Sequence, residues 1–390
     1  MLRVLMFAIL RPMKNIFGQP WLLIPALLIM TALLWALGLP FFRWLRLLFP
    51  LPAWLFALIW LAPALSLTLS YLLSDRRLRS WLHRVGECWF GLFLYLTMSF
   101  LLAAAMLRLT QITGAKVSDL WRIRAGWLAL AAFALCYIGG VINALHVRVK
   151  RVTIHLPIRR SLRLVLLSDL HLGFFSGPHM LPRIVKAIVE QEPDAVLLAG
   201  DIFDMGYEDL HRPELHRQAL AGLSCHTPVF ACGGNHDLLF PDLRKDAFIR
   251  GCGIRLLEDE SIEWQGLTIL GRRDAMDERR LPPQQVYPGL SKDRPLLVLD
   301  HNPRTYREAW EQGAELVVSG HSHGGQTFPG NLLQRALMPY PIYGHRQEGG
   351  RHLVVTSGAG FWGPPLRVGV NNEVVLLQLE PVLQKPVERE

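Results

Sequence analysis

Acidic side chains are nearly missing from the first third of the chain: up to Ala144 there are 3 Asp+Glu against 13 Lys+Arg, and the long apolar runs there carry almost no charge. A buried helix of a soluble all-α domain normally keeps a polar face, and these runs have none. The cysteine pattern of a zinc finger or a disulfide scaffold is also missing. Of the five cysteines, Cys88 and Cys136 fall in apolar runs, and Cys225, Cys232 and Cys252 have no CxxC or finger-like spacing. No disulfide framework is implied, which fits a reducing compartment.

The net charge of +9 is equally local: removing the first 144 residues leaves 28 Lys+Arg against 29 Asp+Glu, so the second part is nearly neutral. Basic residues flanking apolar spans are expected at anionic head groups, and no nucleic-acid partner is expected.

Four stretches reach the roughly 20 mostly apolar residues that a bilayer-spanning helix requires. They are Trp21–Leu39, Ala53–Leu73, Cys88–Leu107 and Ala125–Ala144. Several spans follow the first, so a cleaved signal peptide does not account for it. The expected organisation is a transmembrane helical domain over residues 1–144 and a soluble domain over residues 145–390. Arg3, Arg11 and Lys14, then Arg76, Arg77, Arg79 and Arg84, then Arg148, Lys150 and Arg151 flank one side of the spans. Arg43, Arg46, Arg108, Lys116, Arg122 and Arg124 flank the other. Positive-inside counting favours both ends in the cytoplasm.

From about His146 the pattern becomes short apolar strands alternating with helices. Strands are expected at His146–Leu156, Leu162–Leu167, Ala195–Ala199, Val229–Cys232, Leu296–Leu299, Glu315–Val318, Leu353–Thr356 and Val374–Leu379, with a helix over Leu181–Glu192 and a hairpin partner at Trp264–Leu270. Five of these strands stop where metal-capable side chains begin, and strand ends in one sheet lie side by side, so distant ligands can converge at one edge.

The blocks at those ends are Asp169-x-His171, Gly200-Asp201 with Asp204 three residues on, Gly234-Asn235-His236-Asp237, His301, and Gly320-His321-Ser322-His323. In this order they resemble the signature of the calcineurin-like metallophosphoesterase superfamily, over roughly residues 146–380. Asn302-Pro303, Gly324-Gly325-Gln326, Ser357-Gly358-Ala359-Gly360 and Pro365-x-Arg367 resemble its bacterial, often membrane-associated branch. Asp300 stands where that pattern has a small residue.

The resemblance implies an α/β domain built as a four-layer α/β/β/α sandwich behind the helical bundle. It implies two divalent cations, one held by Asp169, His171, Asp201 and His323, the other by Asp201, Asn235, His301 and His321, with Asp201 bridging. Mixed nitrogen and oxygen donors suit Mn, Fe or Zn. Such a pair neutralises a phosphoryl group and supplies a nucleophile at neutral pH. His236 is implied to stand beside the leaving oxygen, with Asp237 orienting its ring.

The expected activity is therefore metal-dependent hydrolysis of a phosphoester or pyrophosphate bond at a bacterial inner membrane. The expected partners are the bilayer and a phosphorylated or lipid-linked small molecule, a UDP-diacylglucosamine-type pyrophosphate being one candidate. A soluble substrate, with the helices as anchor alone, and a degenerate metal-binding signalling module are the alternatives. His155, His179, His211, His216, His226, His345 and His352 read as ordinary surface or packing residues. Asp204 either supports the metal shell or caps a turn. The apolar stretch Thr327–Tyr343 reads first as core packing, and otherwise as an apolar lip that admits acyl chains.

Overall fold

The backbone is helical over the four apolar runs; three helices continue past them, and the second stops at Leu72, one residue short. In the computed structural model, which describes residues 20–73, 75–177, 179–239 and 242–382, helix α1 spans Pro20–Leu48, α2 Ala53–Leu72, α3 Arg76–Ile112 and α4 Asp119–Leu145. Arg3, Arg11 and Lys14 lie outside the described residues. Helix α3 begins well ahead of Cys88 because Asp75 caps it, its Oδ1 accepting the Leu78 amide at 2.7 Å. Arg76, Arg77, Arg79 and Arg84 thus ride on helical turns. Among the described residues, these four helices are long and apolar enough to cross a membrane.

The chain divides into two compact units, one ending at Gly139 and the other starting at Gly140. In the first, large apolar side chains such as Leu28, Leu58, Leu102 and Leu128 are exposed, while rings gather inside: Phe42, Trp44, Phe56, Trp60, Phe93 and Phe100 are buried. The Trp60 ring packs against Gly38, where a β-carbon would stand 2.6 Å from Nε1, and Nε1 donates to the Leu34 carbonyl at 2.9 Å. Small residues that admit a neighbour's bulk are the usual packing device of helices in lipid, and a donor on a neighbouring carbonyl leaves no polar group exposed.

The last turns of α4 belong to the second unit. Asn143 Nδ2 donates to the carbonyls of Arg367 and Val370 at 3.1 and 2.8 Å, and Asn372 Nδ2 donates to the Ala144 carbonyl at 2.7 Å.

The second unit contains strands β1 (Val147–Leu156), β2 (Leu162–Leu167), β3 (Ala195–Ala199), β4 (Val229–Cys232), β5 (Arg255–Leu256), β6 (Glu260–Trp264), β7 (Leu267–Gly271), β8 (Leu296–Leu299), β9 (Leu316–Ser319), β10 (Gly344–Glu348), β11 (Arg351–Val355) and β12 (Asn372–Pro381). They form two six-stranded sheets, ordered β1-β12-β2-β3-β4-β5 and β10-β11-β9-β8-β7-β6. Each central strand is buried on both faces, which is why its sequence is continuously apolar. In β2, Leu164 and Leu166 join the core between the sheets, while Val165 and Leu167 join an outer core.

Helices α5 (Leu181–Val189), α6 (Pro213–Ser224) and α8 (Leu243–Gly251) supply Ile184, Leu220 and Phe248 to the outer core of the first sheet; the short α7 (Asn235–Leu239) precedes α8. On the second sheet, α9 (Pro283–Val286) and α10 (Tyr306–Glu311) bring Val286 and Trp310 to the other outer core. The result is the expected four-layer α/β/β/α sandwich.

Several strand bounds shift by one or two residues, and two larger departures from expectation have backbone reasons. Glu192 adopts φ 46°, and α5 ends short of it. Trp264–Leu270 contains its own hairpin turn: Gln265 and Gly266 take φ 49° and 82° and join antiparallel β6 and β7.

Candidate metal centre

Strands β2, β3 and β4 pair in parallel, as do β7, β8 and β9, so their carboxyl ends open on a common edge within each sheet. The chain must turn sharply as it leaves those ends. Asp169, His171, Asp201, His321 and His323 all adopt left-handed backbone conformations, with φ between 45° and 71°. A non-glycine residue there costs about 1 kcal/mol or more, and such strain persists only where the surroundings hold it.

Room for these turns comes from glycine. At Gly200, φ 73°, a β-carbon would stand 2.7 Å from His301 Nδ1 and 2.8 Å from the Gly234 amide. A β-carbon on Gly234 would collide with the Asp201 carboxylate.

The side chains converge in two sets that share Asp201. His171 Nε2 lies 3.1 Å from His323 Nε2, and His323 Nε2 lies 3.4 Å from Asp169 Oδ1. His171 Nε2 is 3.8 Å from Asp201 Oδ2. On the other side of Asp201, His301 Nε2 lies 3.2 Å from Asp201 Oδ2 and 3.2 Å from Asn235 Oδ1. His321 Nδ1 lies 2.7 Å from Asn235 Oδ1 and 3.3 Å from His301 Nε2. All seven residues expected as ligands are therefore gathered. Asp169, His171 and His323 form one metal-capable triplet, and Asp201, His301 and His321 another. A third, His171, Asp201 and His236, also brings the expected leaving-group histidine within ligand range.

The donor chemistry fits cations. His301 Nδ1 faces the Ala199 carbonyl at 2.8 Å, and a carbonyl only accepts, so Nδ1 carries the proton and the lone pair of the neutral ring sits on Nε2. In the neutral ring that lone pair points at Asn235 Oδ1 and Asp201 Oδ2, which are acceptors as well, and although burial disfavours a charge on the ring, Asp201 and Asp169 raise the His301 pKa well above its ordinary value. Asp169 Oδ1 is buried with no hydrogen-bond partner. Converging acceptors without donors are unfavourable unless a positive charge sits among them.

Electrostatics sharpen the same picture. Burial works against the Asp201 carboxylate, yet His301, His236 and His171 outweigh it and hold its pKa well below the ordinary value. Burial pushes His323 well down, and burial together with His301 pushes His321 down to about 3, so both rings are neutral and free to donate a lone pair.

Asp204 supports two rings. Its Oδ1 is 3.4 Å from His171 Nδ1, and its carbonyl accepts from His236 Nδ1 at 3.0 Å. Asp237 does something different from the ring-orienting task expected of it: its carboxylate accepts the amides of Gly234, Phe203 and Ile202 at 2.9, 3.0 and 3.3 Å. It ties the loop after β4 to the loop after β3, because backbone amides freed at the strand ends need acceptors.

Asp300 is similarly accounted for. It accepts Arg280 through both oxygens, at 2.7 and 3.2 Å, and the Thr305 hydroxyl at 2.7 Å. Sequence reasoning missed Asp274, which follows β7 and is buried. Burial pushes its carboxyl up to about 6, partly offset by His301. A polar residue just past an apolar strand was the available signal.

A two-sheet α/β domain with two sets of metal-capable side chains sharing one carboxylate is thus defined by its geometry. The family model for calcineurin-like phosphoesterases matches residues 162–325, a range that holds all nine expected site residues; the chain carries a calcineurin-like phosphoesterase domain. An uncharacterised metallophosphoesterase of Helicobacter pylori is 28% identical over 243 residues, 60% of this chain and 64% of the relative. A transmembrane protein with metallophosphoesterase domain from Danio rerio is 28% identical over 275 residues, 65% of this chain and 62% of the relative. Phosphodiesterase YaeI of Escherichia coli is 28% identical over 232 residues, 56% of this chain and 82% of the relative. The chain thus spans a little under two thirds of the length of the first two.

Proposed function

We propose that this chain is a membrane-anchored, metal-dependent phosphohydrolase that cleaves a phosphoester or pyrophosphate bond in a lipid or lipid-linked substrate. The observation that carries the reading is the pair of metal-capable clusters sharing Asp201, His301 Nε2 lying 3.2 Å from its Oδ2. Asp169, His171, Asp201 and His323 would hold one divalent ion, and Asp201, Asn235, His301 and His321 the other, with Mn, Fe or Zn matching the donors. When bound, such a pair supplies charge neutralisation of the phosphoryl group and a nucleophile at neutral pH.

The remaining groups act around it. The backbone amide of His236 donates to Asp201 Oδ1 at 2.8 Å, which fixes the shared carboxylate. Burial lowers the pKa of the His236 ring, with Asp201 opposing, and its Nδ1 is held on the Asp204 carbonyl. Nε2 is then the atom that can exchange a proton with a leaving oxygen. The name of the Escherichia coli relative, a phosphodiesterase, agrees with hydrolysis of an ester.

Four membrane-capable helices favour substrates that diffuse in the bilayer, and a UDP-diacylglucosamine-type pyrophosphate is one candidate. The distribution of basic residues favours a cytoplasmic catalytic domain at a bacterial inner membrane. A cysteine label near the C-terminus should then react only after permeabilisation; labelling of intact cells would reverse the orientation.

The test of activity uses the purified full chain. It should bind about two equivalents of transition metal and hydrolyse a phosphodiester, and Asp201→Asn should abolish both. In cells, the same substitution should make one class of phospholipid or lipid pyrophosphate accumulate by mass spectrometry. A metal-loaded chain inert on mono-, di- and pyrophosphate esters would overturn the hydrolase reading, and accumulation of a soluble phosphoester alone would favour the helices as mere anchor.

A further inference from the structure

Of the apolar stretch Thr327–Tyr343, Ile342 is buried and Tyr340 packs against the outer core as first expected, but Leu332, Leu333, Leu337 and Met338 do not pack inward. The exposed leucines lie on helix α11, Gly330–Leu337, none of whose residues is buried. Leu332, Leu333 and Leu337 are 54%, 42% and 66% exposed, and Met338 follows at 40%. On a helical projection Leu332, Leu333, Ala336 and Leu337 fall on one side, and Asn331, Gln334 and Arg335 on the other. Asn331 and Gln334 are half-buried while the four apolar residues are exposed.

Asn331 and Gln334 therefore face the protein, the apolar side faces away and Arg335 is exposed at its flank, the reverse of a helix on a soluble domain. Elsewhere between residues 146 and 382, the exposed large apolar residues, such as Val189, Leu215 and Leu243, are scattered singly along the sequence. Among the described residues of this span they collect only here, and a contiguous exposed apolar patch marks a surface that meets something.

What it meets follows from how it is attached. The Phe328 amide donates to the Val368 carbonyl at 2.9 Å, and the Val368 amide donates to the Gln326 carbonyl at 3.1 Å, just ahead of the helix. Arg367 in turn donates its amide to the Gly140 carbonyl at 3.0 Å, and Asn143 holds the Arg367 and Val370 carbonyls. Gly140 and Asn143 lie in the last turns of α4. That helix has 27 residues and is about 40 Å long, against a hydrocarbon core of roughly 30 Å. Asp119, Arg122 and Arg124 stand at its start and its apolar run ends at Ala144, so its last turn, with Asn143, reaches the head-group layer, and the 366–370 loop links that turn directly to the root of α11.

We propose that α11 is a membrane-surface helix: Leu332, Leu333 and Leu337 enter the boundary between head groups and acyl chains, with Arg335 at the anionic lipid level. Its root also reaches the metal centre. The Gln326 side chain donates to the Trp362 carbonyl at 2.8 Å and accepts the Trp362 amide at 3.0 Å, and the Trp362 ring meets His236 edge-on with centroids 5.9 Å apart. On the hydrolase reading, this presents the site to phosphates carried at the bilayer surface.

The decisive measurement does not depend on turnover. In full-length chain with Cys88, Cys136 and Cys225 replaced by alanine, an environment-sensitive fluorophore is placed at Leu333→Cys or Leu337→Cys. The protein is reconstituted in nanodiscs of phosphatidylethanolamine and phosphatidylglycerol with some lipids spin-labelled on the acyl chain. Strong quenching by the spin-labelled lipid and weak quenching by aqueous iodide is the expected result. Quenching by iodide and not by lipid would overturn the proposal, and so would protection from both, which would indicate a protein partner or a second copy.

Activity supplies an independent reading. The double substitution Leu333→Gln and Leu337→Gln should lower hydrolysis of a lipid phosphoester by about tenfold or more while leaving a soluble phosphodiester unaffected. Equal losses on both substrates would argue against the membrane role. Lipid quenching in a chain inert on every ester would leave α11 at the membrane and reject only the hydrolase reading.

Discussion

Gly358 and Asp169 touch so closely that a β-carbon on Gly358 would stand 2.7 Å from the β-carbon of Asp169. Gly358 also takes φ 84°, a conformation that penalises any side chain. Gly360 donates its amide to the Asp169 carbonyl at 3.0 Å, so the Ser357–Gly360 loop fixes this ligand's backbone as well. Gly358→Ala should therefore cost about 1–3 kcal/mol through strain and crowding. Metal analysis of the folded variant should show weakened binding at the Asp169, His171 and His323 set; full loading with wild-type stability would contradict the proposed contact.

The loop has its own clamp. Arg367 is fully buried, and its guanidinium donates to the carbonyls of Ser357, Gly360 and Asn371 at 2.8, 2.6 and 2.9 Å. Burial holds its pKa down to about 10. A lysine carries the charge but cannot spread its donors in that planar fork. Arg367→Lys should lose about 2–4 kcal/mol of stability, read as a lower melting temperature of the purified chain. An unchanged melting temperature would mean that the loop is held by other contacts.

Sequence reasoning reached far because the ligand blocks sit at the ends of doubly buried strands, and an apolar run that stops at Asp169, Asp201 or His301 is visible without coordinates. It failed where the partner of a side chain is set by tertiary placement. Asp237 follows His236, yet its carboxylate accepts the amides of Phe203 and Gly234, and the ring is held by Asp204. No local pattern separates those outcomes. Helix α11 misled for another reason: Leu332, Leu333 and Leu337 have the spacing of a core-facing helix, and spacing says nothing of which side faces the protein.

His236 carries the sharpest functional prediction. Its ring is turned by the Asp204 carbonyl, and its imidazole meets that of His171 edge-on with centroids 4.8 Å apart. His236→Ala should keep about two metal equivalents and lower kcat by roughly 10²–10⁴-fold, the usual range for a lost general acid. Loss of one equivalent would instead make His236 a ligand, as its place in a metal-capable triplet with His171 and Asp201 allows. Asp204→Ala should lower metal affinity by about 10–100-fold, because it also faces a ligand ring. Titration of both apo-variants with Mn and Zn separates the two roles.

Acid stability should depend on a histidine remote from the metal centre. His352 lies near the start of β11, where its Nδ1 is 3.0 Å from His345 Nε2 and the rings stack at 5.3 Å. Burial pushes the His352 pKa down to about 4, and positive charge on His345 and His155 pushes the same way. In the unfolded chain it returns to about 6.5, so between these values the unfolded state binds more protons than the folded state. Stability from the neutral ring is thus complete above about pH 6.5 and is lost as pH falls toward 4. The melting temperature should fall from pH 7 to pH 5, and His352→Gln should flatten that slope while leaving metal content at pH 7 unchanged. A slope identical in the variant would place the acid sensitivity in other groups.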